Sequence, residues 1–217
     1  MRVITNAAVS LDGRICTASG ERVALGSPAD RQYMSVLRAR ADAVLVGGRT
    51  FRTWPLPLVA EEKAIHALEA AGFPDTAHPP VEGRTWYNVV LTRTLDVPVV
   101  GRFYTDPRVR PLFFSPTSGE VPGELVTGEV TVEGVLSALS ARGVRTLLVE
   151  AGGDLVAWFL AAGVVNEMYV TLCPLVLGGA APTLVDGRGF PFAAAPRLTL
   201  AHVHRFGDEL FCRYLVK

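Results

Sequence analysis

Glu150 stands between two kinds of chemistry. It follows Leu147-Leu-Val149, which reads as the end of a buried strand, and precedes Ala151-Gly152-Gly153, a turn poor in side chains. Asp154 and Leu155 then open a helical run to Ala162. A strand, a glycine turn and a helix N-terminus make an anion site, because free N–H groups and the helix dipole both favour negative charge. Glycine adds the close backbone approach that a phosphate needs. A carboxylate is a poor partner for that phosphate, so Glu150 must have another task.

Two further strand ends carry related chemistry. Gly47-Gly48-Arg49-Thr50 follows an apolar strand and leads into a short helix, with Thr50 offering a hydroxyl and Arg49 a cation. Thr92-Arg93 closes the strand Trp86–Leu91, and arginine presents a bidentate fork suited to a phosphate monoester. A dinucleotide needs several such contacts spread over neighbouring strands. Neither Gly-x-Gly-x-x-Gly followed by an acid nor Gly-Lys-Ser/Thr is present, so the Rossmann fingerprint and the P-loop are both missing. The arginine after Thr92 suits NADPH over NADH, since the 2′-phosphate needs a cation. Asp12, in the turn Ser10-Leu-Asp-Gly13, is a further site candidate, although an Asp side chain also holds ordinary turns. Arg38 and Arg40 sit where a helix ends, a place that suits cations without any ligand.

The elements that position these residues follow from period and punctuation. Val3–Val9 reads as a strand, and Ser27-Pro28 with Asp30 starts a helix running to about Arg40. Asp42–Val46 is the next strand, and Glu61–Ala71 is helical with Gly72 as its stop. Phe73–Arg84 is a proline-rich loop. Val97–Tyr104 and Pro111–Phe114 read as short strands or strand ends, and Ser115–Gly123 as a loop. Thr131–Arg142 is helical, Val144–Val149 is the strand leading to Glu150, and Val164–Cys173 is a long apolar strand. Leu198–Arg205 and Glu209–Val216 alternate around Phe206-Gly207-Asp208, which predicts an antiparallel hairpin. Strands alternating with helices predict an α/β fold in three layers, with a mostly parallel mixed sheet, helices on both faces and the antiparallel C-terminal hairpin.

The totals fit one domain over residues 1–217. Hydrophobic residues make up 49% of the 217 and charged residues 19%, with zero formal net charge. That balance argues against disorder and against a dominant nucleic-acid or acidic-lipid partner. Cys16, Cys173 and Cys212 form no Cys-x-x-Cys and read as reduced thiols of a cytoplasmic protein. The N-terminus enters a strand directly, without a signal-peptide pattern, and the longest apolar run, Leu155–Val165, is too short to span a bilayer. His66 and His78 lack metal-ligand spacing, and His202 and His204 share a strand face with no third ligand in view, so no metal site is expected.

Taken together, these stretches resemble the reductase (RibD C-terminal) domain of riboflavin biosynthesis, within the dihydrofolate-reductase-like fold. The resemblance rests on Ser10-Leu-Asp-Gly-Arg14, Ala18-Ser-Gly-Glu21, Leu37-Arg-Ala-Arg-Ala-Asp-Ala43, Leu148-Val-Glu-Ala-Gly-Gly153, and Gly178-Gly179 followed by Ala181-Pro-Thr-Leu-Val-Asp-Gly-Arg-Gly-Phe190. Gly48-Arg-Thr-Phe51 and Val90-Leu-Thr-Arg93 are similar to the pyrophosphate turn and the 2′-phosphate pocket of dihydrofolate reductase itself. The resemblance implies an NADPH-dependent reductase whose substrate is a phosphorylated pyrimidine, a diaminopyrimidinone ribosylamino phosphate reduced to its ribityl form. It implies a homodimer, and the terminal hairpin and Val164–Cys173 are candidate edges. It assigns Glu150 to hydrogen bonding with the substrate and Ala8 to the nicotinamide. Arg38 becomes a substrate contact, and Asp12 a second catalytic candidate. The cofactor contacts it implies are Gly47, Gly48, Arg49, Thr50, Thr92, Arg93, Gly152, Gly153, Asp154 and Leu155. The chain departs from the family in reading Thr53-Trp54-Pro55 in place of an Asp-Asp-Pro, and in lacking a later phosphate arginine. Arg22, where the family has serine, is the candidate replacement. Reduction of dihydrofolate or a pterin is the alternative these departures leave open, and a non-catalytic NADPH-binding module is another. No zinc-deaminase signature is present, so the reading is of the stand-alone reductase half.

Overall fold

The computed structural model describes residues 1–19 and 23–217. The chain runs β1 (Arg2–Ser10), α1 (Pro28–Ala39), β2 (Ala43–Gly47), α2 (Gly48–Thr53), α3 (Glu62–Ala70), β3 (Trp86–Leu91), α4 (Arg102–Thr105), β4 (Val109–Ser115), β5 (Glu124–Thr127), α5 (Val132–Ala141), β6 (Thr146–Val149), α6 (Gly153–Ala161), β7 (Glu167–Cys173), β8 (Leu198–Phe206) and β9 (Glu209–Val216). The strands form one nine-stranded sheet in the order β5-β4-β3-β2-β6-β1-β7-β9-β8. Pairing is parallel from β5 to β7, and antiparallel only where β9 joins β7 and β8 joins β9.

Parallel strands covered on both faces read as continuous apolar runs, and alternation sorts their side chains between two cores. Val44 and Val46 of β2, Ile4 of β1 and Leu148 of β6 pack with Val36, Leu37, Phe51, Ile65 and Phe103 from α1 to α4. Ala43, Leu45, Val3 and Leu147 point the other way, toward Val135 and Leu139 of α5 and Val156 and Phe159 of α6. This is the expected three-layer, dihydrofolate-reductase-like arrangement. No helix among the described residues is long and apolar enough to cross a membrane.

Local chemistry explains the boundaries. Ser27 caps α1 by accepting hydrogen bonds from the N–H groups of Ala29 and Asp30, with Pro28 at the first helical position. Asp42 accepts from the N–H groups of Arg145 and Thr146, each at 2.9 Å, and so pins the start of β6 beside β2. Glu167 on β7 is gripped by Arg2 on β1 and by Arg213 on β9, which ties three neighbouring strands together.

Three expectations change. Val97–Tyr104 is not a strand, because Pro98 lacks a ladder N–H and Gly101 takes φ 119°. That stretch instead turns Phe103 into the core on the short helix α4. The loop expected at Ser115–Gly123 is followed by an unforeseen strand, β5, only four residues long and at the sheet edge. The apolar strand expected at Val164–Cys173 offers no edge, since β7 lies between β1 and β9; on that side the edge is β8, with Leu198, Leu200 and Val203 exposed.

Phe51 is fully buried, with ring centroids 4.5 Å from Phe103 and 5.9 Å from Phe113. Phe51→Ala is expected to lower stability by about 3–5 kcal/mol, the usual effect of removing a buried aromatic ring. Urea unfolding followed by circular dichroism checks this.

Candidate active site

Because the strands from β5 to β7 are parallel, all their carboxyl ends lie along one edge of the sheet, and β6 stops short of that edge. It pairs with β1 only over Arg2–Thr5 and with β2 only over Ala43–Leu45. β1 continues to Ser10 and β2 to Gly47, which leaves a notch between them. The N–H of Glu150 makes the last link, to the Leu45 carbonyl, and Glu150–Gly152 form the base of the notch. Asn6, Ala7 and Ala8 are half-buried although β1 is a central strand, as expected for the floor of an open cleft. The helices that follow β1 and β2 pack on one face of the sheet, and the helix that follows β6 packs on the other. Crevices therefore flank β6 on both sides, the kind of place where open α/β sheets bind ligands.

On the α1 face of that cleft, Glu150 and Arg38 meet. Arg38 donates from Nε to Oε1 at 2.8 Å and from Nη2 to Oε2 at 2.7 Å. The two side chains are only 9% and 15% exposed. Burial opposes the arginine's charge, but the Glu150 charge and its hydrogen bonds outweigh that and raise the Arg38 pKa. The Arg38 carbonyl accepts from Trp86 Nε1 at 2.8 Å, which fixes the end of the helix that carries it. Two residues expected to act separately are thus one unit. An ionised carboxylate has about four acceptor sites and a guanidinium five N–H groups, so each partner keeps capacity for a ligand.

The glycines divide by what surrounds them. A Cβ on Gly152 would meet nothing within 4 Å, and its backbone is ordinary extended chain. The fold itself does not demand glycine there, so the space is available to a ligand. Gly153 differs: a Cβ would run into the Thr183 carbonyl oxygen and come within 2.8 Å of Asp186 N. Its glycine serves the packing of the 183–186 loop. The N-terminus of α6 has no side-chain cap, which leaves the first N–H groups near exposed Asp154 without intrahelical partners. Gly48 is pressed by Thr92, whose Oγ1 would lie 2.6 Å from an added Cβ, and Gly47 by Leu155.

Other candidates sort by their partners. Thr92 is buried, donating to the Thr94 carbonyl at 2.6 Å and accepting from Arg52 Nη1 at 3.5 Å. Arg49 and Arg93 are exposed beside it and Thr50 is half-buried. Asp12 accepts from Ser10 Oγ at 2.6 Å and from the N–H groups of Leu177 and Gly178 at 3.1 and 2.7 Å. The Ser10 bond, reinforced by those N–H groups, holds its carboxyl down at about 2. This is the chemistry of a loop anchor that stays ionised rather than of a proton donor. Arg22 lies outside the described residues.

Sequence reasoning missed Arg52, three positions after Arg49 and so on the same side of α2, and it missed the role of Asp30. Asp30 is buried, not a solvated first-turn acid. The available signal was its spacing from Tyr33 and Leu37, which places it in the inward stripe of α1.

Comparison with known proteins gives a consistent picture. The family described as the RibD C-terminal domain matches residues 1–212. The 2,5-diamino-6-ribosylamino-4(3H)-pyrimidinone 5′-phosphate reductase of Methanothermobacter thermautotrophicus is 31% identical, over 99% of this chain and 98% of its own length. The riboflavin biosynthesis protein RibD of Synechocystis is 30% identical over 96% of this chain, which spans 55% of that longer protein. The solved structure of Acinetobacter baumannii RibD superposes with a TM-score of 0.78 at 25% identity, covering all of this chain and 58% of that one.

The glycine division is testable. Gly153→Ala is expected to destabilise the protein by about 1–3 kcal/mol through overpacking, whereas Gly152→Ala leaves the melting temperature unchanged. Thermal unfolding of the two variants side by side checks both halves.

Proposed function

The chain belongs to the RibD C-terminal domain family, and on that premise we propose that it is an NADPH-dependent reductase converting the ribosyl group of a diaminopyrimidinone ribosylamino 5′-phosphate to ribityl in riboflavin biosynthesis. The reading is carried by the cleft at the end of β6, where an open glycine turn and a nearly buried carboxylate adjoin. When bound, the nicotinamide supplies the hydride, which goes to C1′ of the ring-opened imine.

The residues present fit that cofactor. The empty space over Gly152, the uncapped start of α6 and the Gly47–Thr50 turn receive the phosphates. Arg93, with Arg49 and Arg52 close by, takes the 2′-phosphate, while Thr92 fixes the strand end beneath it. Ala8 is small enough to let a flat ring lie against β1, and Leu155 walls the cleft from the α6 side. Gly153 and Asp154 act through the helix start, and Gly153 lets the 183–186 loop close over it. Glu150 accepts hydrogen bonds from the amino and ring N–H groups of the pyrimidine. Arg38 holds Glu150 in register and keeps three N–H groups for substrate oxygens. Asp12 anchors the 177–178 loop against the end of β1. Arg22 is the proposed partner for the substrate phosphate.

The proposal includes a homodimer formed through β8, the edge strand with exposed leucines, in a thiol-reducing cytoplasm where Cys16, Cys173 and Cys212 stay unpaired. A second reading keeps the chemistry but uses an unphosphorylated pterin. It is favoured by Trp54 and Leu56, apolar and exposed in the stretch that follows the second strand end.

The test is NADPH oxidation by the purified protein with each substrate. Turnover with the pyrimidine phosphate is expected; turnover with dihydrofolate alone moves the assignment to the second reading, and NADPH binding without turnover on either leaves only a binding module. Arg93→Ala should weaken NADPH by about 10-fold or more, the scale of one charged hydrogen bond, and leave NADH almost unaffected. Equal losses for the two cofactors, read by fluorescence titration, would remove the 2′-phosphate assignment. Glu150→Gln should lower turnover or raise substrate KM while NADPH affinity holds. Unchanged kcat and KM in that variant take Glu150 out of the site.

A further inference from the structure

One buried acid has no task in the account so far. Asp30 is 7% exposed and points from the first turn of α1 toward the sheet. Its carboxyl fills the place beside Gly26 that a Cβ there would need. Thr171 on β7, itself 2% exposed, hydrogen-bonds the carboxyl. Thr171 is the cross-strand neighbour of Ala8. Adjacent strands are about 4.8 Å apart, so the carboxyl stands one strand from the cleft floor. It is also on the correct face. Ile4, Leu148 and Tyr169 belong to the core under α1, so alternation puts Asn6 and Ala8, Glu150, and Thr171 on that same side.

The surroundings strengthen this group's hold on a proton relative to a free carboxyl. Burial pushes the carboxyl up to about 6, and the charges of Glu209 on β9 and Glu150 after β6 add to the rise, against Thr171 and Arg31. Glu209 is occupied by the N–H and Oγ of Ser27, at 2.7 and 2.6 Å. The neighbouring Cys173 thiol is pushed up to about 12, chiefly by burial, and carries no charge near neutrality.

We propose that the Asp30 carboxyl is the proton donor of the reduction, reaching the substrate nitrogen from the α1 wall of the cleft. The inference rests on the reductase reading above. The hydride forms the new C–H bond at C1′, the C=N π pair moves onto nitrogen, and the Asp30 O–H supplies that nitrogen's proton. The imine is reduced, the nicotinamide is oxidised, and the carboxylate left behind takes a proton back from solvent. Thr171 is a positioning residue, holding the carboxyl and easing its ionised state.

The experiment combines a cofactor-free readout with kinetics. In the protein alone, carboxyl-labelled aspartate followed by carbon-13 NMR should contain one resonance titrating near 6, absent from Asp30→Asn. In turnover, kcat should fall as pH rises through that value. Asp30→Asn should lower kcat by about 10²–10⁴-fold, the usual range for a general acid, with Asp30→Glu recovering part of it. NADPH affinity should stay within about two-fold in both variants. Thr171→Val removes a bond that favours the carboxylate, so it should move the kcat limb to higher pH, and it serves if Asp30→Asn does not fold. An Asp30 resonance titrating at the ordinary carboxylate value, or a limb unmoved by these substitutions, overturns the proposal and leaves the reductase standing. Wild-type protein without turnover removes the reductase reading, and the proton-donor role with it.

Discussion

The architecture hinges on a strand that ends early. β6 has four residues between neighbours of five and nine, so the sheet is complete beneath it and notched above it. Had β6 run on, Asn6 to Ala8 would be covered on both sides and Glu150 would be one more ladder residue. The early stop follows from Gly152-Gly153, which are poor strand formers with no side chain to pack in a ladder, and from the 183–186 loop, whose backbone occupies the place of any side chain at position 153. Everything assigned to the cleft borrows its position from that truncation.

Electrostatics then gives each part of the notch a sign. The glycine turn and helix start present uncompensated N–H groups, while one or two residues earlier a carboxylate is held by a two-pronged arginine. A nearly buried ion pair of this kind adds little net stability, because desolvation offsets attraction, yet losing one partner strands the other's charge. Arg38 and Glu150 are therefore better understood as orienting each other than as fastening α1 to β6. Asp12 and Glu167 show the contrasting use of acids, each saturated by donors that lock loop or strands in place.

Much of this was legible before any coordinates. Strand–glycine–helix junctions, the Ser27 cap and the alternating terminal hairpin are signals written within a few residues of one another, and they fell where expected. The long-range facts were not legible. Nothing near residue 146 says that its strand lies between the strands at residues 2 and 43, and without that order the notch does not exist. Gly152 and Gly153 look alike in sequence and differ only in what a distant loop places against them. Asp30 reads locally as part of a helix-start signal, because acids are common in a first helical turn, whereas tertiary packing turns it inward. Val97–Tyr104 was misread because apolar residues interrupted by proline and glycine satisfy a strand's composition without its hydrogen bonding.

The sheet order also sets a sequence of events in synthesis. β1 is made first, but its two neighbours, β6 and β7, come from residues beyond 145. β3 and β4, by contrast, pair only with strands close to them in the chain, and β2 has one such neighbour, β3. On a ribosome the β2–β4 half can assemble while β1 waits, an apolar segment with both ladder edges open. High sequence separation of this kind slows folding and lengthens the exposure of such edges. The cleft is thus a late product of synthesis, since its floor on β1 and its base after β6 meet only after more than two-thirds of the chain has emerged.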